Sequence, residues 1–233
     1  MNAIITGASK GIGKSTAAAF AALGYNLVLC SRSATTLYKT VEELYLEYPN
    51  VKIKAIPADL SSKLGCNDFT DWLLSLDISI DVLVNNAGLF VPGSVHNEAE
   101  GQLEFMLNAN LYSAYHVTRV LVKKMITQKS GHIFNICSIA SFQAYDNGGS
   151  YSISKFAMLG FGKNLREEMK PHNIKVTNVM PGAAYTDSWS GSNIDPNRLM
   201  EAEDVAKMIV AASQLSPRAC VEEIVLRPQL GDL

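Results

Sequence analysis

Short aliphatic runs alternate with longer stretches of helical spacing along the whole chain, and this alternation most constrains the fold. Seven runs rich in β-branched and aliphatic residues predict strands at 3–5, 26–29, 51–56, 81–84, 132–136, 174–179 and 223–226. Between these runs, apolar residues recur every three or four positions, which is typical of amphipathic helices. Regular βα alternation predicts an α/β fold, a doubly wound sheet of about seven parallel strands with helices on both faces. Ligands then bind at the carboxyl ends of the strands.

Composition points to one globular domain and argues against several partners. The 233 residues are 48% apolar, enough for a large core, so 1–233 is expected to form a single domain. A net charge of -2 is too balanced to grip nucleic acid or acidic membranes. No apolar run reaches the roughly 20 residues of a membrane span and no leader is evident, so a cytoplasmic location is expected. The scattered Cys and His residues predict reduced thiols and no metal.

A glycine-rich turn follows the first predicted strand and opens a helical pattern. Residues 6–13 read TGASKGIG, with the spacing G-x-x-x-G-x-G. Glycines allow a tight turn and a close approach of pyrophosphate, and the helix start attracts the anion. The following Lys14 and Ser15 also resemble the end of a P-loop, but that motif needs glycine where Ala8 stands. Taken alone the turn could be a plain connector. The dinucleotide-binding interpretation gives these candidate residues: Gly7, Ser9, Lys10, Gly11, Ile12 and Gly13.

The end of the second predicted strand indicates which dinucleotide is bound. An acidic residue there would bind a ribose 2′-hydroxyl, whereas an arginine accepts a 2′-phosphate. This chain has Ser31 and Arg32, with Lys10 nearby as a second cation. The pair favours NADP(H) over NAD, unless Arg32 merely begins a solvated helix.

Tyr151 and Lys155 stand one helical turn apart in the segment YSISK. The spacing i, i+4 places both on one helix face, so an ammonium lies beside a phenol. A nearby cation is expected to lower the pKa of Tyr151 by about one to three units from about 10, towards the range useful for proton transfer. Such a pair alone also occurs on ordinary exposed helices.

The motifs, in their order along the chain, resemble the short-chain dehydrogenase/reductase family over nearly the whole sequence. The matching segments are TGASKGIG at 6–13, Asp59-Leu60, NNAG at 85–88, Asn110, Ser138, YSISK at 151–155, and Pro181-Gly182 with Thr186. The resemblance implies a Rossmann-like fold and NADP-dependent oxidoreduction of a small carbonyl or alcohol.

The resemblance also implies a role for each matching residue. Tyr151 would donate a proton to the substrate carbonyl, and Ser138 would hydrogen-bond the same oxygen. Lys155 would hold the nicotinamide ribose and lower the pKa of Tyr151, and Asn110 would hold a water linking Lys155 to solvent. The implied cofactor contacts are Asp59 and Leu60 at the adenine, Asn86, Ala87 and Gly88 at its ribose, and Pro181, Gly182 and Thr186 at the nicotinamide.

Two further segments bear on substrate and assembly. The polar segment 183–197 is a candidate lid, and 141–147 is expected to line the substrate pocket with it. Residues 221–233 lack the Gly-Gly that many family members use in forming tetramers, which argues against the common tetramer. The resemblance implies a homodimer or a homotetramer, with pairing through the helices that contain Asn110 and Tyr151. Cys137 is expected to pack in the core. The alternative function is an NADP-binding sensor or scaffold without turnover.

Overall fold

The computed structural model describes residues 1–186 and 194–232 of the chain. Its strands are β1 (Asn2–Thr6), β2 (Asn26–Ser31), β3 (Ile53–Pro57), β4 (Val82–Asn85), β5 (Gly131–Ile136), β6 (Ile174–Pro181) and β7 (Glu223–Leu226). Its α-helices are α1 (Gly11–Ala22), α2 (Ala34–Glu47), α3 (Lys63–Ser75), α4 (Gln102–Leu107), α5 (Ser113–Gln128), α6 (Gly149–Met169) and α7 (Ala202–Ser213).

The strands form one parallel sheet in the order β3-β2-β1-β4-β5-β6-β7. This arrangement confirms the predicted doubly wound, Rossmann-like fold. The chain crosses from the outer strand β3 to β4 beside β1, and the strand order reverses there. Such a switch point opens a crevice at the carboxyl ends of the strands.

Apolar side chains cover both faces of the sheet, because every central strand is buried on each side. On one face Ile5 and Leu29 pack with Phe20 of α1 and Ile209 of α7. On the other face, Leu83 of β4 belongs to a core that includes Phe69 of α3, Leu121 of α5 and Leu165 of α6. This two-sided core explains why the central strands read as nearly continuous aliphatic runs.

The long helix expected around Asn110 is interrupted. Between α4 and α5 the residues Asn108–Tyr112 form a π-helical turn, with Asn110 buried inside it. An inserted π turn shifts the facing of all later side chains in a helix and often occurs at functional sites.

Three buried asparagines form a ladder across the sheet. Asn85 on β4 donates through Nδ2 to Asn135 Oδ1 on β5 at 2.9 Å, and Asn135 donates to Asn178 Oδ1 on β6 at 3.2 Å. Helix α6 approaches this ladder closely at Gly162, where a β-carbon would stand 1.8 Å from Asn178 Oδ1. Glycine at position 162 is therefore required for α6 to lie against the sheet.

Part of the expected lid at 183–197 lies outside the described residues, namely 187–193. Of the remainder, Ala184 forms a β-bridge with Met200 and Pro196–Arg198 forms a 3₁₀ turn. Within the described ranges, no helix has the length and apolar character needed to cross a membrane.

Candidate active site

One cleft of ≈ 740 Å³ lies along the carboxyl ends of the strands. The residues predicted for the site that line it are Gly7, Ser9, Lys10, Gly11, Ile12, Ser31, Arg32, Asp59, Leu60, Asn86, Ala87, Gly88, Ser138, Tyr151, Lys155, Pro181, Gly182 and Thr186. Gly13 and Asn110 stand behind the lining. The volume is in the range of small-molecule and cofactor sites.

The glycine-rich turn is built to keep side chains out of the cleft. Gly7 and Gly11 have left-handed backbones, with φ of +64° and +49°. A β-carbon on Gly13 would stand 2.3 Å from the Gly7 oxygen, so α1 begins directly against the turn. Asn86 fixes the turn from β4, because its Nδ2 donates to the carbonyls of Thr6 and Gly7, each at 3.0 Å. This cradle fits a pyrophosphate held at the start of α1.

The Asn86 side chain supports the cradle and also lines the cleft, where the resemblance implies a ribose contact. It holds two parts of the cradle together, while Ala87 and Gly88 beside it supply lining backbone. A β-carbon on Gly88 would stand 2.8 Å from Asn110 Oδ1, so position 88 also needs glycine.

The end of β2 carries hydroxyls and a guanidinium where a carboxylate would select NAD. Ser31 Oγ lies 2.7 Å from Ser9 Oγ, which links the end of β2 to the glycine-rich turn. Arg32 and Lys10 line the same end of the cleft. The two hydroxyls and the Arg32 guanidinium fit a 2′-phosphate, since these groups supply hydrogen bonds and positive charge.

The loop after β3 forms the wall expected to face adenine. Asp59 Oδ1 accepts hydrogen bonds from the Ser61 backbone N–H at 3.1 Å and from Ser61 Oγ at 2.7 Å. Cys66 Sγ lies 3.2 Å from the Leu60 carbonyl and fixes the loop from α3. Burial raises the pKa of the Cys66 thiol to about 11, so the thiol is neutral and acts as a packing group.

Tyr151 and Lys155 lie together near the start of α6, as their spacing predicts. Lys155 Nζ is 5.8 Å from the centre of the Tyr151 ring and donates to the Ile136 carbonyl at the end of β5 at 2.9 Å. The Phe90 ring meets the Tyr151 ring edge-on, with centres 4.8 Å apart. The phenol is thus held between an aromatic ring and a buried ammonium.

The expected direction of the Tyr151 pKa shift is wrong for the protein without cofactor. Burial raises the pKa of Tyr151, and the hydrogen bond with Ser138 lowers it by a smaller amount. Burial also lowers the pKa of Lys155, with an opposing contribution from Cys137. The free-energy cost of desolvating the phenolate exceeds the stabilisation that the surrounding groups give it. The spacing of Tyr151 and Lys155 predicts their proximity but not this desolvation.

Ser138 has two contacts that fit its position at the end of β5. Its Oγ accepts from the Ala140 N–H at 3.1 Å and caps the short 3₁₀ turn Ile139–Ser141. Its hydroxyl also lies close enough to Tyr151 to lower the pKa of the phenol. The cap fixes the hydroxyl beside the phenol, so one substrate oxygen can meet both groups. Cys137 next to it is buried, and burial raises its pKa to about 11, which agrees with a packing role.

Asn110 supports the site from behind. Its Oδ1 accepts from the Leu89 N–H at 2.8 Å, while its Nδ2 donates to the Leu89 carbonyl at 3.0 Å and to Ser154 Oγ at 2.9 Å. The side chain thus joins the loop after β4 to α6, next to Lys155. These contacts make Asn110 a positioning group for the wall beside Lys155, and the water expected at Asn110 stays a prediction.

Sequence reasoning missed Glu98. Its carboxylate accepts from the N–H of Ser150 at 2.9 Å and also from the Ser150 hydroxyl, and so caps the start of α6 directly before Tyr151. Gly149, with φ of +37°, leaves room for this carboxylate, because a β-carbon there would stand 2.1 Å from Glu98 Oε1. The partners are 52 residues apart, and no local pattern signals their contact.

Two residues of the expected pocket segment 141–147, Gln143 and Tyr145, line the cleft as predicted. Sequence reasoning did not single out two other lining residues, Phe90 and Asp232. Phe90 lies two positions after the NNAG motif. No local pattern in the sequence indicates that Asp232 lines the cleft. It reaches the cleft only because the segment after β7 folds back. No group of three or more His, Cys, Asp or Glu side chains in the described part of the chain is placed to hold a metal.

A doubly wound sheet whose switch-point cleft holds a glycine cradle and a Ser-Tyr-Lys cluster defines a dinucleotide-dependent oxidoreductase class. The family model for short chain dehydrogenases matches residues 1–197. The chain is 35% identical over 238 residues to a sepiapterin reductase of Chlorobaculum tepidum, covering 99% of this chain and 97% of that protein. The chain therefore belongs to the short-chain dehydrogenase/reductase family.

Solved structures with similar folds include two nucleotide complexes. An alcohol dehydrogenase from the archaeon Thermococcus sibiricus, complexed with 5-hydroxy-NADP, is 26% identical with a TM-score of 0.90, and the match covers 98% of this chain and 96% of that chain. A metagenomic short-chain oxidoreductase in complex with NADP is 28% identical with a TM-score of 0.85, covering 98% and 97%.

Proposed function

We propose that the protein is an NADPH-dependent reductase of a small carbonyl compound, able to run in reverse as an alcohol dehydrogenase. The observation that carries this proposal is the Tyr151 phenol, which lines the cleft together with Ser138 and lies beside buried Lys155. The NADP ligands named for the two similar structures support the choice of nucleotide.

The chain's own residues would handle the proton and the oxygen of the reaction. Bound NADPH supplies the hydride. Tyr151 keeps its proton at neutral pH and donates it to the oxygen, while Ser138 hydrogen-bonds that oxygen as charge develops on it. Lys155, fixed by the Ile136 carbonyl, would bind the ribose hydroxyls and stabilise a transient phenolate.

The cleft would bind NADPH along its length. The cradle at Gly7, Gly11 and Gly13 would hold the pyrophosphate, and Arg32 with Ser31 would hold the 2′-phosphate. At the other end, Pro181, Gly182 and Thr186 would face the nicotinamide. Asp59 and Leu60 would flank the adenine, and Asn86, Ala87 and Gly88 would contact its ribose.

Sepiapterin is the first substrate to test, because the sepiapterin reductase that is 35% identical to this chain aligns with 99% of its length. The substrate end of the cleft combines apolar Phe90 and Ile139 with polar Gln143 and Tyr145. This mixture fits a small polar carbonyl compound. The coarse proposal, carbonyl reduction with NADPH, does not depend on sepiapterin being turned over.

The deciding experiment measures loss of NADPH absorbance with sepiapterin, simple ketones, aldehydes and 3-oxo esters. The proposal expects turnover of at least one carbonyl that is lost in Tyr151→Phe, while binding of NADPH persists. NADPH binding without turnover of any compound would contradict it and would favour the sensor or scaffold alternative.

We also propose that the chain forms a homodimer or homotetramer through the helices that carry Asn110 and Tyr151. Phe105, Tyr112, Ile153 and Phe156 leave large apolar surfaces exposed on these helices. Light scattering should give a mass of at least two chains, and Phe156→Glu should lower it. A wild-type monomer at micromolar concentration would contradict the proposal.

A further inference from the structure

Arg227 joins three segments at the substrate end of the cleft. It directly follows β7, and its Nη1 pairs with Asp232 Oδ2 in the segment after that strand. Its Nη2 donates to Gln143 Oε1 at 2.8 Å, and its guanidinium carbon lies 5.8 Å from the centre of the Phe142 ring. The side chains of Arg227 and Asp232 are 34% and 28% exposed, so the ion pair stays partly open to water. Its positioning depends on the combined contacts of the guanidinium with Asp232, Gln143 and Phe142.

The two partners of Arg227 line the cleft, whereas Arg227 itself does not. Asp232 Oδ1 lies near the backbone of β6, 3.4 Å from where a β-carbon on Gly182 would stand. Gln143 stands five positions after Ser138, on the segment that follows the Ser138 cap. Arg227 therefore fixes one polar side chain on each of two walls of the cleft that also holds Ser138 and Tyr151.

Each partner keeps one polar atom for a ligand. Arg227 uses Asp232 Oδ2 and Gln143 Oε1, and among residues 1–186 and 194–232 no hydrogen bond uses Asp232 Oδ1 or Gln143 Nε2. A carboxylate oxygen can only accept a hydrogen bond, and an amide nitrogen can only donate one. The cleft thus offers one charged acceptor and one neutral donor, held by the same guanidinium.

We propose that Asp232 and Gln143 determine substrate specificity, that Arg227 is their positioning residue, and that the preferred substrate carries a carboxamide or ring lactam near its carbonyl. Such a group presents an N–H donor next to an oxygen acceptor, which matches the acceptor of Asp232 and the donor of Gln143. The inference rests on the proposed reductase function and adds the class of substrate.

The test compares two substrates of similar size that differ in the N–H donor: 3-oxobutanamide and its methyl ester analogue, methyl 3-oxobutanoate. The wild-type protein should prefer the amide at least tenfold in kcat/KM, as expected for a hydrogen bond to a charged acceptor. Asp232→Ala should remove this preference mainly by raising KM for the amide, and should leave the ester within about twofold. Leu230→Ala, in the same segment with its side chain exposed, is the matched control and should change neither substrate.

Two further variants separate recognition from folding. Gln143→Ala should reduce the amide preference without touching the segment after β7. Arg227→Lys should reduce it as well, because a single ammonium cannot hold both partners in the fork geometry of a guanidinium. Thermal unfolding and NADPH dissociation constants should stay near wild type in all variants.

The outcomes distinguish the inference from the proposed function. Equal kcat/KM for amide and ester in the wild type, or equal loss of both in Asp232→Ala and Gln143→Ala, would overturn the inference while leaving the reductase function intact. If no carbonyl compound were reduced by the wild type, the proposed function and the inference would both be wrong.

Discussion

Tyr151 holds its proton across the neutral range because burial raises its pKa above the ordinary value of a phenol. Carbonyl reduction needs the protonated phenol, whereas alcohol oxidation needs the phenolate. We expect kcat for reduction to stay within about twofold between about pH 6 and pH 9, below the ordinary phenol pKa of about 10, while oxidation rises with pH. Steady-state profiles in both directions test this. A tenfold fall of the reductive rate over that range would show that the phenol ionises earlier.

Replacement of the same hydroxyl tests its role directly. Tyr151→Phe should lower kcat by about 10²- to 10⁴-fold, the usual contribution of general acid catalysis, and should leave the NADPH dissociation constant within about threefold. Tyr38→Phe, at an exposed tyrosine of α2 that does not line the cleft, is the control and should keep the wild-type kcat. Near-normal turnover by Tyr151→Phe would contradict the proposed proton donor.

Arg32 should set the choice between the two nucleotides. A hydrogen bond to a charged group contributes about 1.5–3 kcal/mol, so Arg32→Ala should weaken NADPH about 10- to 150-fold while NADH changes little. Ser31→Asp should repel the 2′-phosphate and also break the Ser9 contact in its present form. Arg218→Ala, a remote exposed arginine, is the control. Equal dissociation constants of the wild type for NADH and NADPH would refute this reading of the β2 end.

Residue types and spacing anticipated which side chains meet in the cleft, but not how their environment acts on them. The pair Tyr151 and Lys155 follows from helical periodicity alone. The direction of its pKa shifts depends on burial by Phe90 and the end of β5, which lie far away in sequence. For the same reason, the spacing of Asn110 does not reveal its contacts with Leu89 and Ser154, which are distant in sequence.

At the scale of elements, the start of α6 carries the catalytic candidates and depends on Glu98. Glu98→Gln should lower the free energy of unfolding by about 0.5–2 kcal/mol, the usual cost of losing a helix cap. It should also lower kcat more than it raises the NADPH dissociation constant, because Tyr151 directly follows the capped residue. Chemical denaturation and steady-state kinetics measure both effects. Glu100→Gln, exposed two residues away, should behave like wild type, and an equally unaffected Glu98→Gln would exclude a role for the cap.

The order and type of the elements could be predicted because strands and helices have distinct periods, and each of the seven predicted strands is present. The π turn at Asn108–Tyr112 could not be predicted, since the pattern of apolar residues continues through it as in the surrounding helix. Its position is decided by contacts of Asn110 with the loop after β4. Helix periodicity therefore located α4 and α5 but not the irregularity between them.

For the whole molecule, His132 makes stability depend on pH. The residue is buried on β5, and its Nε2 lies 2.7 Å from Thr177 Oγ1 on β6. Thr177 itself donates to the Val221 carbonyl at 2.5 Å, so the imidazole N–H must be on Nε2. Burial lowers the pKa of His132 to about 3. Below about pH 6.5 the unfolded chain binds a proton that the folded chain does not. The free energy of unfolding therefore decreases by about 1.4 kcal/mol for each unit that the pH is lowered, down to about pH 3.

His132→Gln should remove this dependence. Between about pH 6.5 and pH 5, the free energy of unfolding of the wild type should fall about 2 kcal/mol more than that of the variant, as measured by urea denaturation at each pH. His96→Gln, at an exposed histidine, should follow the wild type. Parallel losses in the wild type and His132→Gln would assign the acid sensitivity to other groups.

The asparagine ladder has a consequence for how the sheet assembles. A parallel sheet built from interchangeable aliphatic residues offers many misaligned pairings of similar hydrophobic energy. Sliding β5 by one residue would turn Asn135 away from Asn85 and Asn178 and leave buried amides unpaired, at about 1–3 kcal/mol for each unpaired group. The ladder thus favours the native register of β4, β5 and β6 during folding, because arrangements with a shifted register are less stable.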